Sequence, residues 1–227
     1  MRSCRVKRAA MKVYGQIRLA EIEAMKPDKW DFSGATHARV MMPSCADTET
    51  IMQRQGFVFA DRTLKVVIGL SKVFADLKRF IRLPIVETSE YKDDIFAIAH
   101  ESFTRDRRFH ILPKCDPAVS ALVLREWVAA IDKSWVCLYH DKPIGFLVLK
   151  STAPDACFVH LAAVKEEYRI TGAAMALYAK AIEVARERGC KKLEGRISSL
   201  NTAVMNIYAT FGAVFSDPQD IFLKELA

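Results

Sequence analysis

Four residues in one short turn are of the types that bind a phosphate group. Arg169 supplies a fixed positive charge, Gly172 lets the main chain approach an anion closely, and Ala173 and Ala174 add no bulk. The turn lies between an apolar run over 158–164, which predicts a strand, and a run with helical periodicity. Such a turn directs unpaired backbone N–H groups and the positive end of the helix dipole toward one point. The spacing therefore predicts a pyrophosphate site.

The spacing also discriminates between classes of phosphate ligand. A P-loop requires Lys-Ser/Thr where this chain has Met175 and Ala176, and a dinucleotide fingerprint requires three glycines where only Gly172 is present. The pattern Arg-x-x-Gly-x-Ala resembles the coenzyme A turn of the GNAT superfamily of N-acyltransferases. The resemblance implies that coenzyme A contacts the end of the strand and the turn, through Leu161, Ala163, Val164, Arg169, Ile170, Thr171, Gly172, Ala173 and Ala174.

The residues after this turn support the same resemblance. Apolar side chains recur at helical spacing as far as Ala185, and Gly189 follows as a helix C-cap. A short strand over 192–197 comes next. Asn201 and Tyr208 then follow at the spacing of the GNAT pattern Asn-x-x-Ala-x-x-Leu-Tyr-x-x-x-Gly-Phe. Two positions depart from that pattern by a change of size within an apolar environment: Val204 replaces Ala and Ala213 replaces Phe.

The resemblance gives Asn201 and Tyr208 chemical roles. The leaving group in acyl transfer from coenzyme A is a thiolate, and a phenol can donate a proton to it, so Tyr208 is the candidate general acid. Asn201 would face the amides of the pantetheine arm. Each residue also has a purely structural interpretation, because Asn201 suits a helix N-cap and Tyr208 suits a core position with a satisfied hydroxyl.

A second set of residues is a candidate for the general base and the acceptor site. His160 lies on the strand before the turn, where its side chain would face the attacking amine. A histidine turned to solvent or satisfied in the core explains the same residue, and a water chain to a carboxylate is another route for the proton. A polar loop carries three basic residues that suit a nucleotide diphosphate, although a solvated loop would have the same composition: Arg105, Arg108 and His110.

The order of the predicted elements indicates an α+β fold. Over residues 81–227 a strand and two helices precede a β-hairpin, the strand before the turn, its helix, another strand, a short helix and a final strand. This is the element order of the GNAT fold, which implies a central, mostly antiparallel sheet flanked by helices. Residues 81–227 are therefore expected to form a complete acyl-CoA-binding catalytic domain.

The first 80 residues contain a weak internal repeat of part of that domain. The run from Gly56 to Asp61, Gly-Phe-Val-Phe-Ala-Asp, parallels Gly-Ala-Val-Phe-Ser-Asp from residue 212 onward. Cys45 and Met52 occupy the positions that correspond to Asn201 and Tyr208, and no Arg-x-x-Gly-x-Ala turn precedes them. We therefore expect residues 1–80 to be a truncated, degenerate GNAT-like half; two unrelated helix–glycine–strand corners are the alternative.

The composition restricts the compartment and the partners. No apolar run reaches the ~20 residues of a membrane span, and the basic N-terminus lacks the apolar core of a signal peptide. The six cysteines are scattered without the spacing of a zinc site, which predicts reduced thiols in a cytoplasmic protein and no bound metal. The net charge of +7 comes from Lys and Arg dispersed among acidic residues, which favours polyanionic small ligands over nucleic acid.

Three features make the chain resemble the dTDP-fucosamine acetyltransferases within the GNAT superfamily. They are the truncated GNAT-like segment before the complete domain, the motif Arg108-Phe-His-x-x-Pro and the motif Glu126-Trp-Val. The resemblance implies an acyl-CoA-dependent N-acyltransferase that modifies a nucleotide-linked amino-dideoxysugar for surface polysaccharide or lipopolysaccharide synthesis, by direct attack in a ternary complex. The donor would be acetyl-CoA or a short hydroxyacyl-CoA. Two alternative functions are an acetyltransferase for another small-molecule or protein amine and a noncatalytic acyl-CoA-binding protein. The sequence is also compatible with a homodimer formed through the first half.

Overall fold

The computed structural model describes residues 7–14, 16–24, 30–73, 76–103 and 117–226. Within them the strands are β1 (Lys7–Arg8), β2 (Ala10–Tyr14), β3 (Ile17–Glu23), β4 (Trp30–Asp31), β5 (His37–Pro43), β6 (Val58–Gly69), β7 (Ile85–Thr88), β8 (Ser134–Tyr139), β9 (Lys142–Ala153), β10 (Ala156–Val164), β11 (Lys192–Ser198) and β12 (Val214–Glu225). The α-helices are α1 (Ala46–Arg54), α2 (Lys92–Ser102), α3 (Pro117–Ala129), α4 (Ala173–Glu187) and α5 (Thr202–Thr210). Short 3₁₀ helices span Leu70–Lys72, Leu77–Arg79 and Glu166–Thr171.

Contacts divide the chain into two units. The first contains residues 1–63, 106–123 and 217–227, and the second contains residues 64–105 and 124–216. The predicted division into a degenerate half over 1–80 and a complete domain over 81–227 concerns descent, and it stays a prediction.

The first unit is built on strands with alternating side chains. β5 alternates buried and half-buried residues along its whole length, as one covered sheet face requires. β2 pairs antiparallel with β3, β3 pairs parallel with β5, and β5 pairs antiparallel with residues 219–225 of β12. The buried residues of this core include one side chain of α1: Ile22, Ala24, Ala38, Val40, Met42, Met52, Phe57 and Phe222.

In the second unit the strands lie in the order β6, β11, β10, β9, β8, β7. The pairs from β7 to β10 are antiparallel, whereas β10 and β11 run parallel. The β8–β9 hairpin turns through His140 and Asp141, whose φ angles of 46° and 58° match a two-residue type I′ turn.

Strand β9 is buried on both faces, which fixes the layers of this unit. Leu147 and Leu149 belong to the core that contains the apolar face of α4. Phe146 and Val148 alternate with them and therefore point to the opposite face, where they are equally buried. Because α2 contacts β9 and β10, helices flank the sheet, and the predicted α+β architecture is confirmed.

Two segments of the chain share one succession of elements with equal lengths. β5, α1 and β6 have 7, 9 and 12 residues, and β11, α5 and β12 have the same lengths. A glycine with positive φ joins helix to strand in each, Gly56 at 79° and Gly212 at 73°. Met52 and Tyr208 occupy the same helical position, and both are fully buried. This structural correspondence covers the same two segments as the internal sequence repeat.

Most predicted elements of residues 81–227 are present, and the largest difference concerns the last strand. The sequence predicts a strand from residue 221 to 226, whereas β12 already begins at Val214. The pair Asp217-Pro218 is a turn signal, and Asp217 does adopt a positive φ of 49°. The strand continues through this irregularity. The turn signal in the sequence is therefore the reason that the prediction missed the first half of β12.

Candidate active site

The predicted phosphate turn is open to solvent at its glycine. β10 ends at Val164, and the 3₁₀ helix Glu166–Thr171 leads to Gly172, whose φ of 81° lies in the left-handed region. A methyl group added at Gly172 would meet no atom within 4 Å. Its positive φ therefore explains the glycine locally, and the vacant space lets an anion approach the main chain.

The N-terminus of α4 supplies the donors of this turn. The first N–H groups of an α-helix have no partner within the helix, and no acidic side chain lies in the first turn of α4. The Ala173 N–H donates to the Thr171 hydroxyl oxygen at 3.4 Å, while that hydroxyl donates to the Tyr168 carbonyl at 2.7 Å. Thr171 thus holds the turn against the helix.

Arg169 lies on the exposed side of the turn. Its side chain is half exposed, and Nη1 lies 3.9 Å from a carboxylate oxygen of Glu166. An ion pair of that length between exposed groups contributes little, which leaves the guanidinium able to bind an anion. Its neighbour Ile170 is 96% exposed, so an apolar side chain stands at the tip of the turn.

Helix α2 fixes the start of the turn. The Glu101 carboxylate accepts from the Glu166 N–H at 2.9 Å, and the Ser102 hydroxyl donates to the Val164 carbonyl at 3.3 Å. Neither residue was predicted as part of the site, because contacts between residues 65 and 62 positions apart leave no trace in local patterns.

Strands β10 and β11 pair only over their first residues. The parallel ladder joins Ala156, Cys157 and Phe158 to 192–194. Beyond that point β10 continues to Val164 and β11 to Ser198, and among the described residues no further pair joins these two strands. In the part of the chain that the structure describes, Leu161, Ala163 and Val164 therefore lie on a stretch of β10 that pairs with β9 and not with β11. The other backbone edge of this stretch borders the opening between β10 and β11.

A β-bulge lies at His160 within this stretch. Val159 pairs with Leu149 and Leu161 with Val148, so two steps along β10 match one step along β9. Val159 belongs to the α4 core, and beyond the bulge Val164 belongs to it too, although the two are an odd number of residues apart. The extra residue has reversed the alternation of faces, and such bulges re-aim side chains and backbone donors at functional sites.

His160 stacks on an aromatic side chain of α3. Its ring centroid lies 6.0 Å from that of Trp127, and the planes differ by 25°. Burial, followed by the positive charge of Lys150, lowers the pKa of His160 to about 4. The imidazole is therefore neutral near pH 7, free to accept a proton but weak as a base.

Tyr208 is buried in the second unit, against the strand residue that follows the last residue of β11 paired with β10. Its ring packs edge-on against Tyr178 at a centroid distance of 4.9 Å. Burial and the hydrogen bond with Tyr178 raise the pKa of Tyr208 well above its usual value. The phenol oxygen lies against Gly195 of β11, where any side chain would overlap it. The phenol is thus held protonated.

Asn201 is the N-cap of α5. Its Oδ1 accepts from the Val204 N–H at 3.2 Å, which is the usual geometry of an asparagine cap. The side chain is otherwise exposed, so its amide NH₂ points away from that bond. The structural interpretation of Asn201 therefore holds, and a role toward pantetheine stays a prediction beside it.

The predicted acceptor residues Arg105, Arg108 and His110 lie outside the described residues. In the described part of the chain no group of three or more His, Cys, Asp or Glu side chains is placed to hold a metal ion. No helix in that same part is long and apolar enough to cross a membrane.

The sequence assigned no chemical role to Gly195, Tyr178 or Trp127, although each contacts a predicted site residue and Trp127 lies in the segment Glu126-Trp-Val that narrowed the resemblance. A glycine inside a strand often marks a close approach by another group, so Gly195 was detectable in principle. Tyr178 and Trp127 have the helical spacing of ordinary core residues, and only the folded chain brings them to Tyr208 and His160.

The sequence profile of the acetyltransferase (GNAT) family matches residues 93–213. The chain belongs to this family. GNAT enzymes use an acyl-CoA donor, generally acetyl-CoA, and the matched segment includes the turn, His160 and Tyr208. No curated protein matches the sequence.

Solved structures share the fold at low sequence identity. A functionally unknown conserved protein from Staphylococcus epidermidis has a TM-score of 0.63 and 16% identity, with 85% of this chain and 74% of that chain covered. A GCN5-related N-acetyltransferase from Sphaerobacter thermophilus has a TM-score of 0.55 and 16% identity, covering 84% and 60%. A GCN5-related glucosamine N-acetyltransferase region of a fungal multi-domain protein has a TM-score of 0.55 and 11% identity, covering 82% and 25%.

Proposed function

We propose that this GNAT protein transfers an acetyl group from acetyl-CoA to the amine of a nucleotide-linked amino-dideoxysugar, with a dTDP-linked sugar as the first candidate. One observation carries the donor half of the proposal. The open turn at Gly172, which carries Arg169, directly follows the stretch of β10 that lies beyond the β11 ladder. A pyrophosphate at the turn would lead its pantetheine arm into that opening.

The groups at the turn match a pyrophosphate in charge and in hydrogen bonding. Backbone N–H groups of the first turn of α4 and the guanidinium of Arg169 provide the donors, and the helix dipole adds to their field. Asn201, with its Oδ1 engaged as a cap, has amide hydrogens left for a pantetheine carbonyl. Ile170, at 96% exposure, offers apolar surface to the bound cofactor.

Transfer requires a neutral amine to attack the thioester carbonyl. The carbonyl oxygen then becomes an oxyanion, which backbone N–H groups already in place stabilise. The edge of β10 from Leu161 to Val164, which has no β11 partner among the described residues, is our candidate for these donors, because its N–H groups border the opening. Collapse of the tetrahedral intermediate forms the amide and expels the coenzyme A thiolate.

Tyr208 is our candidate for the proton donor to that thiolate. A free thiol has a pKa of about 8.5, and the raised pKa of the buried phenol keeps Tyr208 protonated wherever the enzyme operates. Its hydrogen bond with Tyr178 would have to give way to, or relay toward, the sulfur. Such general acid catalysis contributes on the order of 10²-fold or more.

His160 is our candidate for the group that receives the amine. A pKa of about 4 makes it a poor acceptor for an ammonium proton, so the proposal gives it a hydrogen bond to an amine that is already neutral, with water removing the proton. Alignment of the amine and thioester then supplies much of the rate.

The acceptor half of the proposal rests on charge. Lys150 lies close enough to His160 to affect its pKa, and the predicted loop residues Arg105, Arg108 and His110 would add further positive charge. A nucleotide diphosphate is a ligand of the opposite charge. The fungal glucosamine N-acetyltransferase region shares the fold, which supports an amino sugar by analogy only.

The test is coenzyme A thiol release from acetyl-CoA with dTDP-linked 3-amino and 4-amino dideoxysugars, a polyamine and a peptide with a free N-terminus. We expect turnover with one of the sugars alone. Turnover with the polyamine or peptide instead would overturn the acceptor. Calorimetric binding of acetyl-CoA without turnover on any amine would favour a noncatalytic acyl-CoA-binding protein, and absence of binding would overturn the donor half.

A further inference from the structure

Two cysteine sulfurs lie in contact on the side of the second unit away from the phosphate turn. Cys157 is the second residue of β10, and Cys190 follows α4 by three residues. Their Sγ atoms are 3.2 Å apart. A disulfide bond is about 2.0 Å long, so the sulfurs need to approach by only about 1 Å.

The backbone on both sides of this contact is fixed by hydrogen bonds. The Cys190 N–H donates to the Ala185 carbonyl at 3.0 Å and the Gly189 N–H to the Arg186 carbonyl at 2.9 Å. With Gly189 at a φ of 72°, these two bonds form the Schellman motif that ends α4. Cys157 is held by its pairing with Leu193 on one neighbouring strand.

A further link joins the two segments directly. The carbonyl of Asp155 accepts from the Lys191 N–H at 2.7 Å and from the Lys192 N–H at 3.2 Å. The residues beside each cysteine are thus tied to each other. The main chain therefore holds the two segments in place on both sides of the sulfur contact.

The two thiols differ in access to solvent. Cys157 is fully buried, whereas Cys190 is partly exposed. A soluble oxidant therefore reaches Cys190 first, and Cys157 can act only from within. Burial and the contact with Cys157 raise the pKa of Cys190 to about 11, so its thiolate is scarce at neutral pH and becomes more abundant as the pH rises.

We propose that Cys157 and Cys190 are an oxidisable dithiol that forms an intramolecular disulfide with a low-molecular-weight disulfide, such as oxidised glutathione, as the oxidant. The Cys190 thiolate attacks one sulfur of the oxidant and expels one thiolate of the small molecule. The Cys157 thiolate then attacks Cys190 Sγ of this mixed disulfide and expels the second. Two protein thiols are oxidised and one small disulfide is reduced to two thiols, which take up, through water, the two protons that the protein thiols lose.

The bond would close the segment from residue 157 to 190, which contains the bulge, the phosphate turn and α4. Cross-linking these ends restricts the unfolded chain while leaving the folded backbone in place. The oxidised protein should therefore unfold at a higher temperature than the reduced protein. This inference does not depend on the acceptor of the transfer reaction.

The test is incubation of the folded, full-length protein with oxidised glutathione at about pH 10, where the Cys190 thiol, with its pKa of about 11, supplies more thiolate than at neutral pH, followed by thiol blocking, nonreducing peptide mapping and thermal denaturation. We expect a peptide pair linked through Cys157 and Cys190, the loss of two hydrogen masses and an upward shift of Tm that a reductant reverses. The Cys157→Ala variant should instead retain glutathione on Cys190. The Cys137→Ala variant, which removes another buried cysteine, should behave as the wild type.

Three results would overturn the proposal. One is a stable glutathione adduct on wild-type Cys190 without a link to Cys157. Another is a link that joins Cys190 to any other cysteine, and the third is an unmodified Cys190 after incubation under conditions that oxidise a small dithiol. Failure of acetyl transfer with every acceptor would leave these results unchanged, so the two proposals are tested separately.

Discussion

The phenol oxygen of Tyr208 lies directly against the α-carbon of Gly195, where only a hydrogen atom leaves room for it. In the equivalent pair of the first unit, the strand residue has a side chain and the helix residue has no ring. There Val40 stands on β5 at the position of Gly195, and Met52 stands on α1 at the position of Tyr208. Each pair fills one core, but only the second pair brings a hydroxyl to the strand.

This contact predicts that Gly195 and Tyr208 are energetically coupled. The Gly195→Ala substitution should lower the free energy of unfolding by about 1–3 kcal/mol through overpacking. In the Tyr208→Phe background, which lacks the clashing oxygen, the same substitution should cost less. Urea unfolding of the two single variants and the double variant measures the coupling, and strictly additive losses would contradict the contact.

The proposed general acid predicts a separation of turnover from stability. We expect the Tyr208→Phe variant to lose about 10²-fold or more in kcat while acetyl-CoA binding persists. Tyr178→Phe is the matched control, because it removes the other hydroxyl of the same hydrogen bond. An equal loss of kcat in both variants would assign the effect to the tyrosine pair as a structural unit, and an unchanged kcat in Tyr208→Phe would exclude the proton-donor role.

Gly172 and Gly189 form a natural comparison at the two ends of α4. Both have positive φ angles, 81° and 72°, and an added methyl group would meet no atom within 4 Å at either position. Alanine should therefore cost each about 1–2 kcal/mol of stability through left-handed backbone strain. Only Gly172→Ala should also weaken acetyl-CoA binding in calorimetry, because a phosphate approaches the main chain there. Equal acetyl-CoA affinity in the two variants would count against the turn as the phosphate site.

The two interpretations of Asn201 can be separated by substitution. Serine retains an acceptor for the Val204 N–H, so Asn201→Ser should keep nearly the wild-type stability, whereas Asn201→Ala should lose about 1 kcal/mol. A role toward pantetheine predicts a raised KM for acetyl-CoA in both variants. If the KM for acetyl-CoA is unchanged in the serine variant and raised only in the less stable alanine variant, then capping of α5 is the whole function of this residue.

Burial of His160 predicts a specific dependence of stability on pH. Its pKa is about 4 in the folded protein and 6.5 when unperturbed, so the unfolded chain binds more protons between these values. The contribution of His160 is therefore present above pH 6.5 and is lost progressively as the pH falls toward 4. Subtracting the unfolding free energies of His160→Gln from those of the wild type across this window should isolate the loss, and a flat difference would contradict it.

Local patterns predicted much of the second unit because each signal there lies within a few residues. The apolar run before the turn, the periodicity of α4 and the glycine after it required no knowledge of distant contacts. The bulge at His160 could not be predicted, since it appears only when β10 is paired with β9. The contacts of Tyr208 with Gly195 and of Trp127 with His160 depend likewise on tertiary packing. Asn201 was predicted in both its roles, and the structure supplies geometry for only the cap.

The bulge at His160 also affects how this chain should be compared with its relatives. Within a strand, an inserted residue shifts every later side chain to the opposite face. A relative without the bulge would therefore align residue by residue up to Val159 and then be displaced by one position as far as Val164. An alignment without a gap at His160 would pair core residues with residues from the other face, so sequence identity across β10 would understate the structural similarity.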